Sequence, residues 1–237
     1  MHKSLNEILG EEKEISYEEC QNLWEDAETL VHHDTSLKLI KEISEHIIDR
    51  CCLTKDDVLL NVGCGDGLFD SLIAEYVKGF YGIDFSNQKL SIAKSNVKSG
   101  HYYQQSFLDK YCEALYLAKP TKIYSYSVAQ YCKPADLDTF IYNQLCLCTE
   151  NREYVIAHLD IPDKEKAVYY YQKQNPEITK EMLDGNVKTL FGDGSYWHDM
   201  GDFEQIAKKY GLECEIADAH YWKYRTDVIY RFNGRKW

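Results

Sequence analysis

The sequence predicts an α/β fold with a doubly wound sheet, and three observations lead there. Short apolar runs alternate with amphipathic helical stretches from residue 57 onward. The first run, 58–63, is continuously apolar apart from Asn61, as expected of a strand covered on both faces of a parallel sheet. It leads into the turn Gly63-Cys64-Gly65-Asp66-Gly67, and a helical stretch follows at once. Strand–helix alternation at this spacing builds a parallel sheet with helices on both faces. Seven strands are expected, mostly parallel with an antiparallel last strand, together with a helical cap insertion.

Taken in order, residues 1–33 read as an N-terminal arm. It has a polar stretch (1–16) and an acidic amphipathic helix at 17–31 that turns Leu23, Trp24, Ala27 and Leu30 inward. Asp34 or Thr35 then caps a helix with Leu37, Ile40, Ile43 and Ile47 on one face. Strands are expected at 58–63, 79–84, 101–105, 122–127 and 152–160. Helices are expected between them at 68–78, 86–98, near 109–118 and at 135–148, with Ser86 or Asn87 as a cap. Residues 163–200 break the rhythm and are read as the insertion, helical over 164–174 and 179–183. A helix at 202–211 ends on Gly211, a natural C-cap. Strands 212–219 and 226–232 close the chain as an edge hairpin, so that the core is 34–162 plus 201–237.

Composition excludes several classes. Twenty-seven basic against 39 acidic residues leave a net charge of −12, without the cationic surface that phosphate backbones need. No nucleic-acid partner is therefore expected. No run approaches the roughly 18 apolar residues of a membrane span, and the charged N-terminus lacks the apolar stretch of a signal peptide. A soluble, cytoplasmic protein with no membrane partner is the expectation. None of the nine cysteines has C-x-x-C spacing, so reduced thiols and no metal are expected. Tyrosine is abundant, 20 against 8 phenylalanines, which suits partly wet walls.

The glycine turn carries the chemistry. Glycines let the backbone approach a ligand without a Cβ in the way, and the following helix start offers free N–H groups. Asp84 ends the next strand, 21 residues after Gly63, where a carboxylate can accept hydrogen bonds from a ribose diol. The arrangement reads as a site for a nucleoside-bearing cofactor. The dinucleotide fingerprint G-x-G-x-x-G would need glycine at residue 68, which is Leu68. An NAD-dependent oxidoreductase therefore stays only a minor alternative.

The spacing Gly63, Gly65, Gly67 after an apolar strand, followed by Tyr81-Gly82-Ile83-Asp84, resembles the first two motifs of the class I S-adenosylmethionine-dependent methyltransferases. The resemblance covers 58–160 and extends loosely to 232. It implies a Rossmann-like sheet, S-adenosyl-L-methionine as cofactor and S-adenosyl-L-homocysteine as product. It implies cofactor contacts at Asn61, Gly63, Cys64, Gly65, Gly67 and Asp84. Phe85, Ser106 and Phe107 would lie on the adenine side, and Ser127 and Val128 at the methionine end. Many members carry an acid where this chain has Asn61, which keeps open a catalytically silent cofactor-binding protein or partner subunit. For the acceptor, Gln130, Asp160, Tyr196 and Trp197 are candidates. His158 and His198 are the candidate bases, because imidazole suits the deprotonation of a hydroxyl near neutrality. The segment from Ser195 to Ile216, followed by Asp227 to Phe232, looks like the tail of small-molecule methyltransferases of bacterial glycan or secondary-metabolite assembly. The expected reaction is in-line methyl transfer to a small molecule, at a hydroxyl of a sugar or natural-product intermediate.

Overall fold

The computed structural model describes residues 37–173, 176, 179–180 and 196–234. The expected arm at 1–33, the cap at Asp34 or Thr35 and most of the helix at 179–183 lie outside the described residues. Helix α1 (Leu37–Cys51) buries Leu39, Ile40, Ile43, Ile47 and Cys51, a stripe at helical spacing. Strand β1 (Val58–Val62) leads through the glycine turn into α2 (Asp70–Ile73) and a single 3-10 turn, Ala74–Tyr76. The helix expected at 68–78 is thus shorter, because Val77 is already extended and feeds β2 (Gly79–Asp84). Helix α3 (Asn87–Asn96) is capped by Ser86, whose Oγ accepts from the Lys89 N–H.

The chain continues through β3 (His101–Gln104), α4 (Glu113–Ala118), β4 (Lys122–Tyr126), α5 (Leu137–Leu145), β5 (Glu153–Pro162) and α6 (Lys164–Gln172). Then come α7 (Met200–Tyr210), β6 (Glu213–Asp218) and β7 (Arg225–Asn233). Gly211 closes α7 at φ 63°, the left-handed cap its sequence position suggests.

The seven strands lie in the order β3-β2-β1-β4-β5-β7-β6. β1 to β5 are parallel, and β7 runs antiparallel to both β5 and β6. The terminal hairpin forms, but it is not simply added at the edge. β7 slots inside against β5 and leaves β6 outermost. Burial explains the choice, since the first six residues of β7 are buried whereas β6 is half-buried to exposed throughout. The order reverses between β1 and β4, and such a switch point opens a crevice at the carboxyl ends of the strands.

Two apolar layers flank the sheet. Ile43 and Ile47 of α1, Ile73 of α2 and Leu90 of α3 cover one face. Leu115 of α4, Phe140 of α5 and Phe203 of α7 cover the other. Asp163 and His198, near the two ends of the stretch read above as an insertion, lie side by side in an isolated parallel bridge. No described helix is long and apolar enough to cross a membrane. The eight cysteines among the described residues are free thiols.

Candidate active site

The glycine turn is tied down on one side and open on the other. The N–H groups of Gly63 and Cys64 both donate to the Ile83 carbonyl, at 2.8 and 2.9 Å. All three glycines take positive φ: 76° at Gly63, 55° at Gly65 and 72° at Gly67. They differ in what a side chain would meet. A Cβ at Gly63 would lie 2.5 Å from Val128, and one at Gly67 3.0 Å from Ala93. At Gly65 a Cβ would meet no atom of the described residues within 4 Å, so among them this bare backbone borders free space. The Cys64 side chain is buried, which leaves only its backbone to face a ligand.

Asp84 sits where its strand ends and is buried. Its Oδ2 accepts from the Gly65 N–H and its Oδ1 from the Ser86 N–H, both at 2.9 Å. Burial pushes this carboxyl above its ordinary pKa, and the two N–H donors work against that. Each oxygen keeps a further lone pair for a diol. Phe85 is half-buried beside it, with its carbonyl taken by Gln104. Ser106 Oγ accepts from the Leu108 N–H and shapes the loop after β3. Phe107 is a correction: it is buried edge-on against Phe140, with ring centroids 4.9 Å apart, and belongs to the core.

Asn61 is also placed differently from expectation. Its amide donates to Asp70 Oδ1 at 2.6 Å, in the interior beneath the turn. Asp70 is fully buried and accepts from Tyr124 Oη at 3.0 Å and Tyr102 Oη at 3.2 Å as well. Desolvation raises its carboxyl to about 7 despite these three donors. The acid absent from β1 thus stands at the start of α2, a residue sequence reasoning missed. The only signal was an acidic first turn directly after the glycines.

At the carboxyl ends of β4 and β5 the chain is strained. Ser127 and Asp160, neither of them glycine, adopt φ of 55° and 61°. Ser127 Oγ hydrogen-bonds Asp160 Oδ2, and Val128 packs on Gly63. Arg225, which the sequence reading also missed, places Nη1 2.8 Å from the Asp160 carbonyl and 2.9 Å from Oδ2. Both side chains of this ion pair are at most 4 % exposed. Gln130 is buried, donates to Tyr131 Oη at 2.6 Å, and accepts the Tyr196 N–H at its carbonyl. Tyr196 is half-buried, while Trp197 packs on Tyr224 and Ala167 in a small cluster of its own.

The two candidate bases are corrected by their burial. His158 is fully buried in the α5–α7 layer, 4.8 Å from Phe140 and 6.1 Å from Tyr230, with Nδ1 2.9 Å from Ser125 Oγ. Burial and the neighbouring His198 lower its pKa to about 3. His198 is equally buried, with Nε2 2.8 Å from the Ala129 carbonyl, and burial lowers it to about 4. Neither ring meets solvent, and neither holds a proton near neutrality. Their pull on stability has a definite sign. Unfolded histidine binds a proton below about 6.5, and these folded ones do not. Their contribution is therefore full above that value and is lost as pH falls from about 6.5 towards 4. Replacing His158 by Phe is expected to flatten the decline in melting temperature between pH 7 and pH 5. An unchanged slope would contradict its burial as a neutral ring.

Residues 60–141 match the family model described as a methyltransferase domain. No curated protein matches the chain in sequence. Solved structures are similar in fold. Magnesium protoporphyrin IX methyltransferase from Synechocystis, with bound S-adenosylhomocysteine, aligns over 97 % of this chain and 92 % of its own, at 12 % identity and TM-score 0.54. An S-adenosylmethionine-dependent methyltransferase from Clostridium acetobutylicum aligns over 91 % and 98 %, at 15 % identity and TM-score 0.58. The N-methyltransferase NodS from Bradyrhizobium japonicum, in complex with S-adenosylhomocysteine, aligns over 90 % and 97 %, at 14 % identity and TM-score 0.58. The strand order and the position of the glycine turn agree with these neighbours in fold, and the match to the methyltransferase-domain model spans β1 to α5.

Proposed function

We infer that the chain methylates a hydroxyl of a small molecule, a sugar or natural-product intermediate, with S-adenosylmethionine as donor. The observation that carries the reading is the space over Gly65 left free by the described residues, next to a carboxylate at the end of β2. The donor fits these residues. Asp84 would hold the ribose hydroxyls, Phe85 and Ser106 would border the adenine, and Ser127 and Val128 would lie toward the methionine end. S-adenosylmethionine supplies a methyl group already activated on a positively charged sulfur. The protein's own work is to orient the acceptor behind that carbon and to exclude water. The net charge of −12 supports a small-molecule acceptor rather than a nucleic acid, and a cytoplasmic location belongs to the same proposal.

Calorimetry with S-adenosylhomocysteine tests the cofactor site. Asp84→Ala removes a charged acceptor, and binding is expected to weaken by about 1–3 kcal/mol. An unchanged dissociation constant would show that Asp84 does not hold the ribose. Binding of NADH without S-adenosylhomocysteine would point to an oxidoreductase. Tight S-adenosylhomocysteine binding with no transfer to any hydroxylated acceptor would point to the silent form.

A further inference from the structure

Two polar atoms of the buried ion pair have no hydrogen-bond partner among the described residues: Asp160 Oδ1, an acceptor, and Arg225 Nε, a donor. A buried polar group left unpaired is costly, and an orphaned acceptor and donor on one ion pair point to a missing third group. The position suits an acceptor molecule. Asp160 lies two residues before the end of β5, is bonded to Ser127, and Ser127 precedes the Val128 that walls the glycine turn. Both Ser127 and Asp160 hold left-handed backbone that non-glycine residues rarely adopt, and such strain gathers at functional sites. The pair is also braced. The Asp160 N–H donates to Asp227 Oδ1 at 2.9 Å, and Asp227 Oδ2 lies 2.6 Å from His46 Nε2. An aromatic wall adjoins it, with Arg225 over the Tyr224 ring at 5.9 Å and Tyr224 packed on Trp222 and Tyr170.

We propose that Asp160 and Arg225 hold the nucleophilic hydroxyl of the acceptor, Asp160 Oδ1 taking its proton and Arg225 Nε donating to its oxygen. The proposal rests on the hydroxyl-methylation reading above and deepens it by naming the groups that choose oxygen. A hydroxyl oxygen has one hydrogen and two lone pairs. The hydrogen goes to Asp160, one pair accepts from Arg225, and the other remains for attack. A neutral amine nitrogen has a single pair, which the Arg225 bond would occupy. As the oxygen's free pair forms the new bond to the methyl carbon, the carbon–sulfur bond breaks with its electrons left on sulfur. The proton passes to the Asp160 carboxylate, so charge and atoms balance. A buried carboxylate favours the protonated form, in keeping with that task.

The test uses the full chain saturated with S-adenosylhomocysteine and a matched pair of probes, phenol and aniline, titrated by calorimetry. Phenol is expected to bind at least tenfold more tightly than aniline. Asp160→Asn is expected to erase that preference with cofactor affinity retained. Arg225→Lys keeps the charge but removes Nε, and serves if the first variant does not fold; it should erase the preference too. Equal affinity for the probes, no binding of either, or a preference that survives both substitutions overturns the proposal. So does a crystal structure of the complex in which a single internal water fills the pair, sealed off from the cofactor's sulfur. Failure of S-adenosylhomocysteine itself to bind would instead overturn the underlying cofactor reading, which separates the two.

Discussion

Gly65→Ala is expected to fold and to lose S-adenosylhomocysteine binding by about a hundredfold or more. The new methyl enters open space among the described residues, none of which has an atom within 4 Å of it. The backbone at φ 55° costs an L-residue about 1–2 kcal/mol, which the domain tolerates. What the methyl displaces is the ligand that would lie against bare backbone. Gly63→Ala is the informative contrast. There the Cβ would stand 2.5 Å from Val128, and the melting temperature should fall before binding is even at issue. A melt and a titration on each variant distinguish the cases. Wild-type affinity in Gly65→Ala would mean that the cofactor does not cross the turn.

Asp70→Ala is expected to cost about 4 kcal/mol or more of stability. Three donors converge on this carboxyl: the Asn61 amide and the hydroxyls of Tyr102 and Tyr124. Each buried donor left without an acceptor costs about 1–3 kcal/mol. The loss would take a large part of the 5–15 kcal/mol that holds a domain together. Urea unfolding measures it, and a loss below about 1 kcal/mol would show that the cluster is wet or rearranged. Asp70→Asn should be milder, since its amide oxygen still accepts. The pH behaviour runs opposite to that of the histidines. The folded pKa near 7 lies above the unfolded 3.8, so the contribution of Asp70 is present in acid and fades as pH rises through that window. Asp70→Asn should therefore steepen the loss of stability on acidification.

What was legible in the chain was what local chemistry decides. The alternation of apolar runs and helices, the Ser86 cap and the Gly211 stop are properties of a few neighbouring residues. The glycine turn and Asp84 belong to the same class, since one turn and one strand end set their spacing. What was not legible depends on partners far along the chain. His158 looked like a residue at a strand end, but β5 runs on to Pro162 with a register shift after His158, and the ring points into the helix layer. Asn61 looked like a ligand contact because nothing nearby marks Asp70 as its partner across the turn. Arg225 opens a strand whose neighbour, β5, lies more than sixty residues earlier. A charge there is an ordinary feature until the fold shows it buried against Asp160.

The reversed direction of β7 has a practical consequence. It enters the sheet at Arg225, opposite Pro162 at the carboxyl end of β5, and leaves at Asn233, opposite Glu153 at the start of β5. Nine extended residues span about 30 Å. The two ends of β7 therefore lie at opposite edges of the sheet: the 219–224 link adjoins the Asp160–Arg225 pair, and Asn233 lies a strand length away. If the proposed Asp160–Arg225 site holds the acceptor, substitutions in that short link are the ones expected to alter acceptor preference, and attachments belong at the far end of the same strand.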